Sequence, residues 1–294
     1  MINYDYYRVF YCVGEYKNIT RAAAALNTSQ PAVTRVIHKL EDALGCTLFI
    51  RTKTGVEFTD EGQLLFEHVR MACQQLIRGE EDISQSLSLD RGIIRISATV
   101  TALNAYLFDT LDTFRERYPK IRFIISTSSS DKTIGRLKNG ESDLAFVTTP
   151  FTRSKGLYVL TVGSFHDILI AGKHFFDKPG KELSLKALEQ YPFVCLAKGT
   201  QFRQFVDEIF AGHGVMVAPD IELDSVDLVV PMVAHNWGFS IVPDAIARSY
   251  IIREEVFEFG LTEQIPERKV CMLSDPSRSQ NRATKEFVQF VKGH

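Results

Sequence analysis

Gln30, Thr34 and Arg35 lie four and five positions apart in the stretch NTSQPAVTRVIHKLEDALG, residues 27–45. On a helix that spacing sets the three on one face. Their chemistry suits the edges of base pairs: Gln bonds an adenine edge bidentately, Arg a guanine edge, and Thr offers thymine a hydroxyl or a methyl group. Val33, Val36, Ile37, Leu40 and Leu44 recur at helical spacing on the opposite side, which is therefore expected to be buried. Ser29 is the expected cap. Pro31 is tolerated because a first-turn N–H has no partner inside the helix, and the remaining free N–H groups attract phosphate.

Such a face needs a frame to hold it. Upstream, YYRVFYCVGEY reads as one helix, and NITRAAAALNTS as a second, slender helix capped by Thr20. The short polar link LNTS makes the second helix meet the third at a steep angle. Downstream, TLFIR and GVEFT flank Thr52–Thr54 as a compact hairpin, or wing. From Lys17 to Lys53 there are six Lys or Arg against Glu41 and Asp42, although the whole chain of 294 residues carries a net charge of −2. The basic excess is local and suits a phosphate-facing surface. A long helix then runs from Thr59 to about Leu89. Leu65, Val69, Ala72, Leu76, Gly79 and Ile83 form alternating steps of four and three along it, the pattern of a coiled-coil seam.

From Gly92 the pattern changes to strand–helix alternation: GIIRISAT, ALNAYLFDTLDTFRERYP, IRFIIST, DKTIGRLKNGE and DLAFVT. A second set follows, with HDILIAG, LSLKALEQY, FVCLAK, QFRQFVDEIFAGHG, DIELD and FSIVP. RKVCMLS and NRATKEFVQFVKG return to complete the first. Repeated βαβ units imply mainly parallel sheets. Two lobes joined by crossings near 161–163 and 265–269 enclose a cleft. Ligands of doubly wound sheets sit beyond the carboxyl ends of the strands. Those ends carry Thr99, Thr101, Ser128, Ser129, Ser130, Thr148, Thr149 and Thr200, and helices beginning after Thr101 and Thr200 offer N-termini to an anion.

The order of parts from TRAAAALNTSQPAVTRVIHKLEDALG through the wing, the long helix and the two lobes resembles the LysR-type transcriptional regulators. The likeness spans the whole chain and is most specific from Thr20 to Gly62. It implies a multi-domain protein. An all-α winged helix-turn-helix domain (1–58) and a long linker and dimerisation helix (59–91) precede a two-lobed α/β, periplasmic-binding-protein-like effector domain (92–294). Lobe I comprises 92–161 and 268–294, and lobe II 162–267. It further implies that double-stranded DNA meets Thr20, Ser29, Gln30, Pro31, Thr34 and Arg35, with Arg51, Lys53 and Thr54 at the wing. A small-molecule inducer would be lined by Thr99, Thr101, Ser129, Ser130, Thr148, Thr200, Gln201, Phe202 and Val226. A homodimer or homotetramer is expected, with RNA polymerase as a candidate partner and no cofactor or metal. Two departures stand out. The wing tip has Thr54 where the family usually has Arg, so Lys53 is left to supply the charge and the salt dependence of binding should differ. Thr148 stands where relatives that bind aromatic dicarboxylates can carry Arg, which favours a small oxyanion or a polar neutral metabolite. Arg203 is the nearest cation in sequence for a carboxylate.

Other classes fit less well. There is no Gly-x-Ser-x-Gly, His-Glu-x-x-His or Gly-x-x-x-x-Gly-Lys motif, so an enzyme is not expected. Five scattered cysteines without a Cys-x-x-Cys pair suggest neither a disulfide framework nor a zinc site. MINYDYYRVF is not a secretion signal, and no apolar run reaches membrane-spanning length. A cytoplasmic protein without membrane contact is expected, rather than a solute-binding transport protein.

Overall fold

The computed structural model describes residues 2–86, 92–175 and 182–293, the side chains at 78, 81, 82 and 84–86 excepted. Two compact units divide the chain, residues 1–87 and 88–294.

Unit 1 opens with α1 (Tyr4–Tyr16), α2 (Ile19–Ala25) and α3 (Gln30–Leu44). Lys17 ends α1 in the left-handed region, so Asn18 is the first extended residue, and its side chain accepts from the Arg21 N–H at 3.0 Å. Asn18, not Thr20, therefore caps α2, and Thr20 is exposed inside the first turn. Ala22 and Ala23 are buried, and their small side chains let the neighbouring helices approach closely. The cap expected for α3 is present: Ser29 Oγ accepts from the Ala32 N–H at 3.4 Å. Val33, Ile37 and Leu40 form its buried stripe, but Leu44 is exposed.

The wing is β1 (Phe49–Arg51) paired antiparallel with β2 (Val56–Phe58). Two contacts fix it. Glu41, the charged residue on the apolar side of α3, turns inward, and its Oε1 accepts from the Leu48 N–H at 2.8 Å and the Phe49 N–H at 3.4 Å. The Val56 N–H donates to the Lys17 carbonyl at 3.0 Å. Gly55 is required beside it, since a Cβ there would stand 2.2 Å from that carbonyl oxygen.

α4 (Asp60–Ser86) starts at Thr59, whose Oγ1 accepts from the Gly62 N–H at 2.9 Å. Its first half belongs to the core of unit 1. Phe66, Val69 and Cys73 pack there with Phe10 and Phe58, the Phe58 and Phe66 ring centroids lying 4.7 Å apart. The expected seam is thus divided. Val69 and, partly, Leu65 are used inside the unit, because the three short helices leave one side of their core open. Ala72, Leu76, Gly79 and Ile83 remain exposed. The expected helix end near Leu89 lies outside the described residues.

Unit 2 begins with β3 (Ile93–Ala98), followed by α5 (Val100–Ala102), a π turn (Leu103–Leu107) and α6 (Phe108–Arg117) in one continuous helical run. Then come β4 (Arg122–Thr127), α7 (Ser130–Lys138), β5 (Leu144–Thr148) and β6 (Tyr158–Phe165). The chain passes into lobe II through β7 (Asp167–Ala171), β8 (Glu182–Leu183), β9 (Val194–Leu196), α8 (Gln201–Gly212), β10 (Ile221–Leu223), α9 (Val229–Ala234), β11 (Phe239–Pro243), α10 (Asp244–Ile252) and β12 (Phe257–Leu261). It returns through β13 (Arg268–Ser274) and α11 (Arg282–Gly293), which complete lobe I as expected.

The sheets are mixed, not mainly parallel. Lobe I has the order β4-β3-β5-β13-β6, in which β3 is parallel to β4 and β5 while β13 is antiparallel to β5 and β6. β6 leaves the lobe and β13 re-enters it, so the two run in opposite senses. In lobe II, β7 is antiparallel to both β11 and β12. β6 stays paired with β13 as far as Phe165 opposite Arg268, so the first crossing falls at His166, just beyond the expected 161–163. LSLKALEQY forms β8 and a short 3₁₀ helix (Leu185–Gln190) capped by Ser184 in place of an α-helix.

Glu41→Ala leaves the buried Leu48 N–H without its acceptor, so unit 1 should lose about 1–3 kcal/mol. Urea unfolding of the full chain, followed by far-UV dichroism, checks this. An unchanged midpoint for the less stable transition would contradict the role given to Glu41.

Candidate nucleic-acid interface and effector cleft

On unit 1, Ser29, Gln30, Pro31 and Arg35 are exposed along α3, and Thr34 is half-buried beside them. The helix fixes this common face by burying Val33, Ile37 and Leu40. His38 lies 3.2 Å from Glu41 and belongs to the link with the wing. Arg51, Lys53 and Thr54 are exposed on the wing. Lys17, Arg21, Arg35, Lys39, Arg51 and Lys53 form no ion pair among the described residues. A groove of about 410 Å³ separates the wing from the start of α2 and is lined in part by Lys17, Asn18, Arg21, Thr52 and Thr54. Arg35 thus stands with the expected reading residues on α3, while Lys17 and Arg21 line the groove beside the wing. Lys17, Asn18 and Arg21, which line this groove, were not among the expected site residues, and the local charge excess was the signal available for Lys17 and Arg21.

On unit 2, register brings the strand ends together. Ala98 lies opposite both Thr127 and Phe146, the Ser128 N–H donates to the Ala98 carbonyl at 3.1 Å, and the Thr99 N–H donates to the Phe146 carbonyl at 2.9 Å. Thr99, Ser128 and Thr148 thus stand side by side at one edge. The helical run starts two residues earlier than expected: Thr99 Oγ1 caps it by accepting from the Ala102 N–H at 3.1 Å, and Thr101 lies within its first turn. Thr101 is largely buried, but its hydroxyl is not fully enclosed and has no partner among the described residues. Ser129 caps α7 without a side-chain bond, and Ser130 and Gln201 make no side-chain bond either. α5 lies against the 3₁₀ turn Val226–Leu228, and Val100 enters the apolar cluster of lobe II around Val194 and Val229, so the lobes meet at this point.

Two expected residues are already engaged. The Thr200 hydroxyl donates to the Ala197 carbonyl at 3.2 Å and accepts from the Arg203 N–H at 3.1 Å. Arg203 is no carboxylate receptor: buried to 4 % exposure, it is held by Asp207 at 2.8 Å, Glu222 at 2.7 Å and the Leu196 carbonyl at 3.1 Å. Those partners follow α8 and β10, where helix spacing and strand register bring them to the guanidinium.

The guanidinium that meets the cleft residues comes from elsewhere. Arg268, the first residue of β13, donates from Nη2 to Thr148 Oγ1 at 3.2 Å and from Nε to the Thr149 carbonyl. Its Nη1 meets both Asp167 oxygens at 3.2 and 3.1 Å. The rings of Phe165, Phe202 and Phe205 each stand 5.0 Å from its guanidinium carbon. Burial pushes the Asp167 carboxyl up while Arg268 pulls it back, and burial likewise lowers Arg268 against the pull of Asp167. Sequence reading missed this pair because its members lie 101 residues apart. The available signal was a charge opening each of two otherwise apolar strands, DILIA and RKVCMLS.

The thiols show no reactive environment. Burial pushes Cys12, Cys73 and Cys271 up and Cys195 up to about 12, which keeps them protonated at neutral pH. Among the described residues no cluster of His, Cys, Asp or Glu could hold a metal, and no helix is long and apolar enough to cross a membrane.

Comparison with known proteins places both units in one family. Residues 4–63 match the bacterial regulatory helix-turn-helix protein, lysR family, and residues 88–294 match the LysR substrate binding domain. The regulator YofA of Bacillus velezensis is 25 % identical over 97 % of this chain and 96 % of its own length. AlsR of Bacillus subtilis is 25 % identical over 82 % of this chain and 80 % of its own. In fold, full-length CbnR complexed with its target DNA superposes with a TM-score of 0.79 at 20 % identity, covering 99 % of each chain. The regulatory domain of Synechocystis CcmR, complexed with 2-PG, superposes at 0.62 with 21 % identity over 69 % of this chain and 96 % of its own. With both of its units matched, the chain belongs to the LysR family of DNA-binding transcriptional regulators, proteins that carry an effector-binding domain and are not enzymes.

Proposed function

We propose that this regulator reads an operator with α3 and the wing, and that a small polar or singly anionic effector held between the lobes of unit 2 modulates it. Gln30, Thr34 and Arg35 enter a major groove and contact base edges, with Pro31 packed beside them. Thr20 and Ser29 adjoin the phosphate backbone, as do Arg51, Lys53 and Thr54 from the wing. The observation that carries this reading is the exposed polar face of α3, set among six cations without ion-pair partners. The bound DNA of CbnR supports it by family likeness.

The effector is received by Thr99, Thr101, Ser129, Ser130, Thr148, Gln201 and Phe202, with Thr200 and Val226 shaping the rim. The unpartnered Thr101 hydroxyl and the 2-PG bound by CcmR support this half. No cofactor enters the proposal. RNA polymerase is the partner on which a promoter-bound regulator acts, directly or by occluding it, and the cytoplasm is where both would be met.

A second copy covers the outer part of α4, where Leu76, Ile77 and Ile83 are 51 %, 47 % and 66 % exposed. Such a row of large apolar side chains along one helix favours a paired helix over solvent. A dimer, or a tetramer built from two, is the proposed assembly.

Arg35→Ala should weaken specific operator binding by about 1–3 kcal/mol in gel shifts while far-UV dichroism stays unchanged. An unaltered affinity would remove Arg35 from the base-reading set. Leu76→Glu combined with Ile83→Glu should shift sedimentation toward the monomer, and an unchanged sedimentation coefficient would argue against pairing through α4.

A further inference from the structure

The groove beside the wing has two walls of different origin. One is the turn from α1 into α2, with Lys17, Asn18 and Arg21; the other is the wing, with Thr52, Thr54 and Glu57. One backbone contact joins them. The Val56 N–H donates to the Lys17 carbonyl at 3.0 Å, and Gly55 leaves the room that this approach needs. Lys17 therefore holds the wing with its backbone and lines the groove with its side chain.

Lysine is an unfavourable residue for that place. Its backbone is left-handed, with φ 47° and ψ 26°, a conformation that burdens a residue with a Cβ but not glycine. Glycine would offer the same carbonyl. What lysine adds is a charge, and that charge has no ion-pair partner among the described residues. Further donors line the groove. Asn18 Oδ1 accepts from the Arg21 N–H at 3.0 Å, which fixes the amide and leaves its Nδ2 without an acceptor among the described residues. On the other wall the Thr52 and Thr54 hydroxyls stand 3.5 Å apart. One can donate to the other, so one proton remains for a further acceptor.

Charge selects the occupant. Lys17 and Arg21, set against Glu57 as the one acid among the lining residues, leave a net charge of +1. A phosphodiester of duplex DNA carries one negative charge, on oxygens that only accept. The groove volume of about 410 Å³ admits such a group with its sugar. Lys53, beside the wing tip, does not line the groove. The cation that Thr54 does not supply is thus available from the opposite wall.

We propose that this groove seats one phosphate of the DNA backbone, gripped by Lys17 and Arg21 from the α1–α2 turn and by the threonines of the wing. The strained backbone of Lys17 is tolerated because of the charge it brings there. The proposal rests on the reading of α3 and the wing as the operator-binding surface and adds a second point of grip to it.

The test uses the full-length protein, its operator and a scrambled duplex of equal length, each titrated across a salt series. Lys17→Gly should keep a melting temperature at or above that of the wild type, because the left-handed backbone is relieved. On both duplexes alike it should lower the slope of log affinity against log salt by about 0.9 per copy, the mark of one lost phosphate contact. Arg21→Ala should do the same to the slope. Adding Thr54→Arg to Lys17→Gly should restore it, because the wing then carries the missing cation. A lower melting temperature in Lys17→Gly would overturn the strain argument, and Lys17→Asn, which tolerates the same backbone without the charge, then reads the slope. Slopes unchanged in the Lys17 variants and in Arg21→Ala, with Arg35→Ala still weakening the operator, would overturn the groove as a phosphate seat and leave the reading of α3 intact. Failure of that reading is distinct: Arg35→Ala would then bind the operator as well as the wild type does.

Discussion

Cations that find no carboxylate inside the chain are the constraint on which the rest depends. In unit 2 the buried arginines are neutralised at home, Arg203 by Asp207 and Glu222 and Arg268 by Asp167. In unit 1, Lys17, Arg21, Arg35, Lys39, Arg51 and Lys53 have no such partner among the described residues. Glu41, an acid of α3 itself, points inward to the Leu48 and Phe49 amides. Its carboxylate holds the wing in place and leaves the basic face basic. A chain with a net charge of −2 thereby keeps a local positive surface fit for phosphate.

The arrangement of small helices follows from the same economy of parts. Ala22 and Ala23 are small enough for α2 to sit close to its neighbours, and Gly55 lets β2 touch the turn between α1 and α2. α4 closes the remaining side with Phe66 and Val69 before its outer stretch becomes exposed. One helix therefore presents two surfaces in succession, first to the core of its own unit and then, with Leu76, Ile77 and Ile83, to its exterior.

Local sequence carried much of this. The α3 stripe up to Leu40, the Ser29 cap and the exposed polar face are short-range features found where their spacing places them, while Leu44 at the end of the helix is exposed. The Thr20 cap failed because a cap depends on backbone conformation: the left-handed Lys17 hands the extended position to Asn18. Sheet direction failed because βαβ spacing describes only consecutive strands, whereas β6 and β13 meet across a whole lobe. The same long separation hid Arg268 behind Thr148, and Arg203 was offered as a ligand contact because its carboxylate partner Glu222 arrives through the pairing of β9 with β10. Removing one member of the buried Arg268–Asp167 pair costs about 3–5 kcal/mol, so Arg268 is committed to its partner. Arg203 is held instead by two partly exposed carboxylates.

The most direct test of the central claim is the affinity of the full chain for its operator across a salt series. If the unpaired cations of unit 1 meet phosphates, the logarithm of the association constant falls linearly with the logarithm of salt concentration, by about 0.9 for each phosphate neutralised, and Lys53→Ala lowers that slope by about one per copy. An affinity indifferent to salt, or a slope unmoved by loss of Lys53 and Arg51 together, would contradict the account.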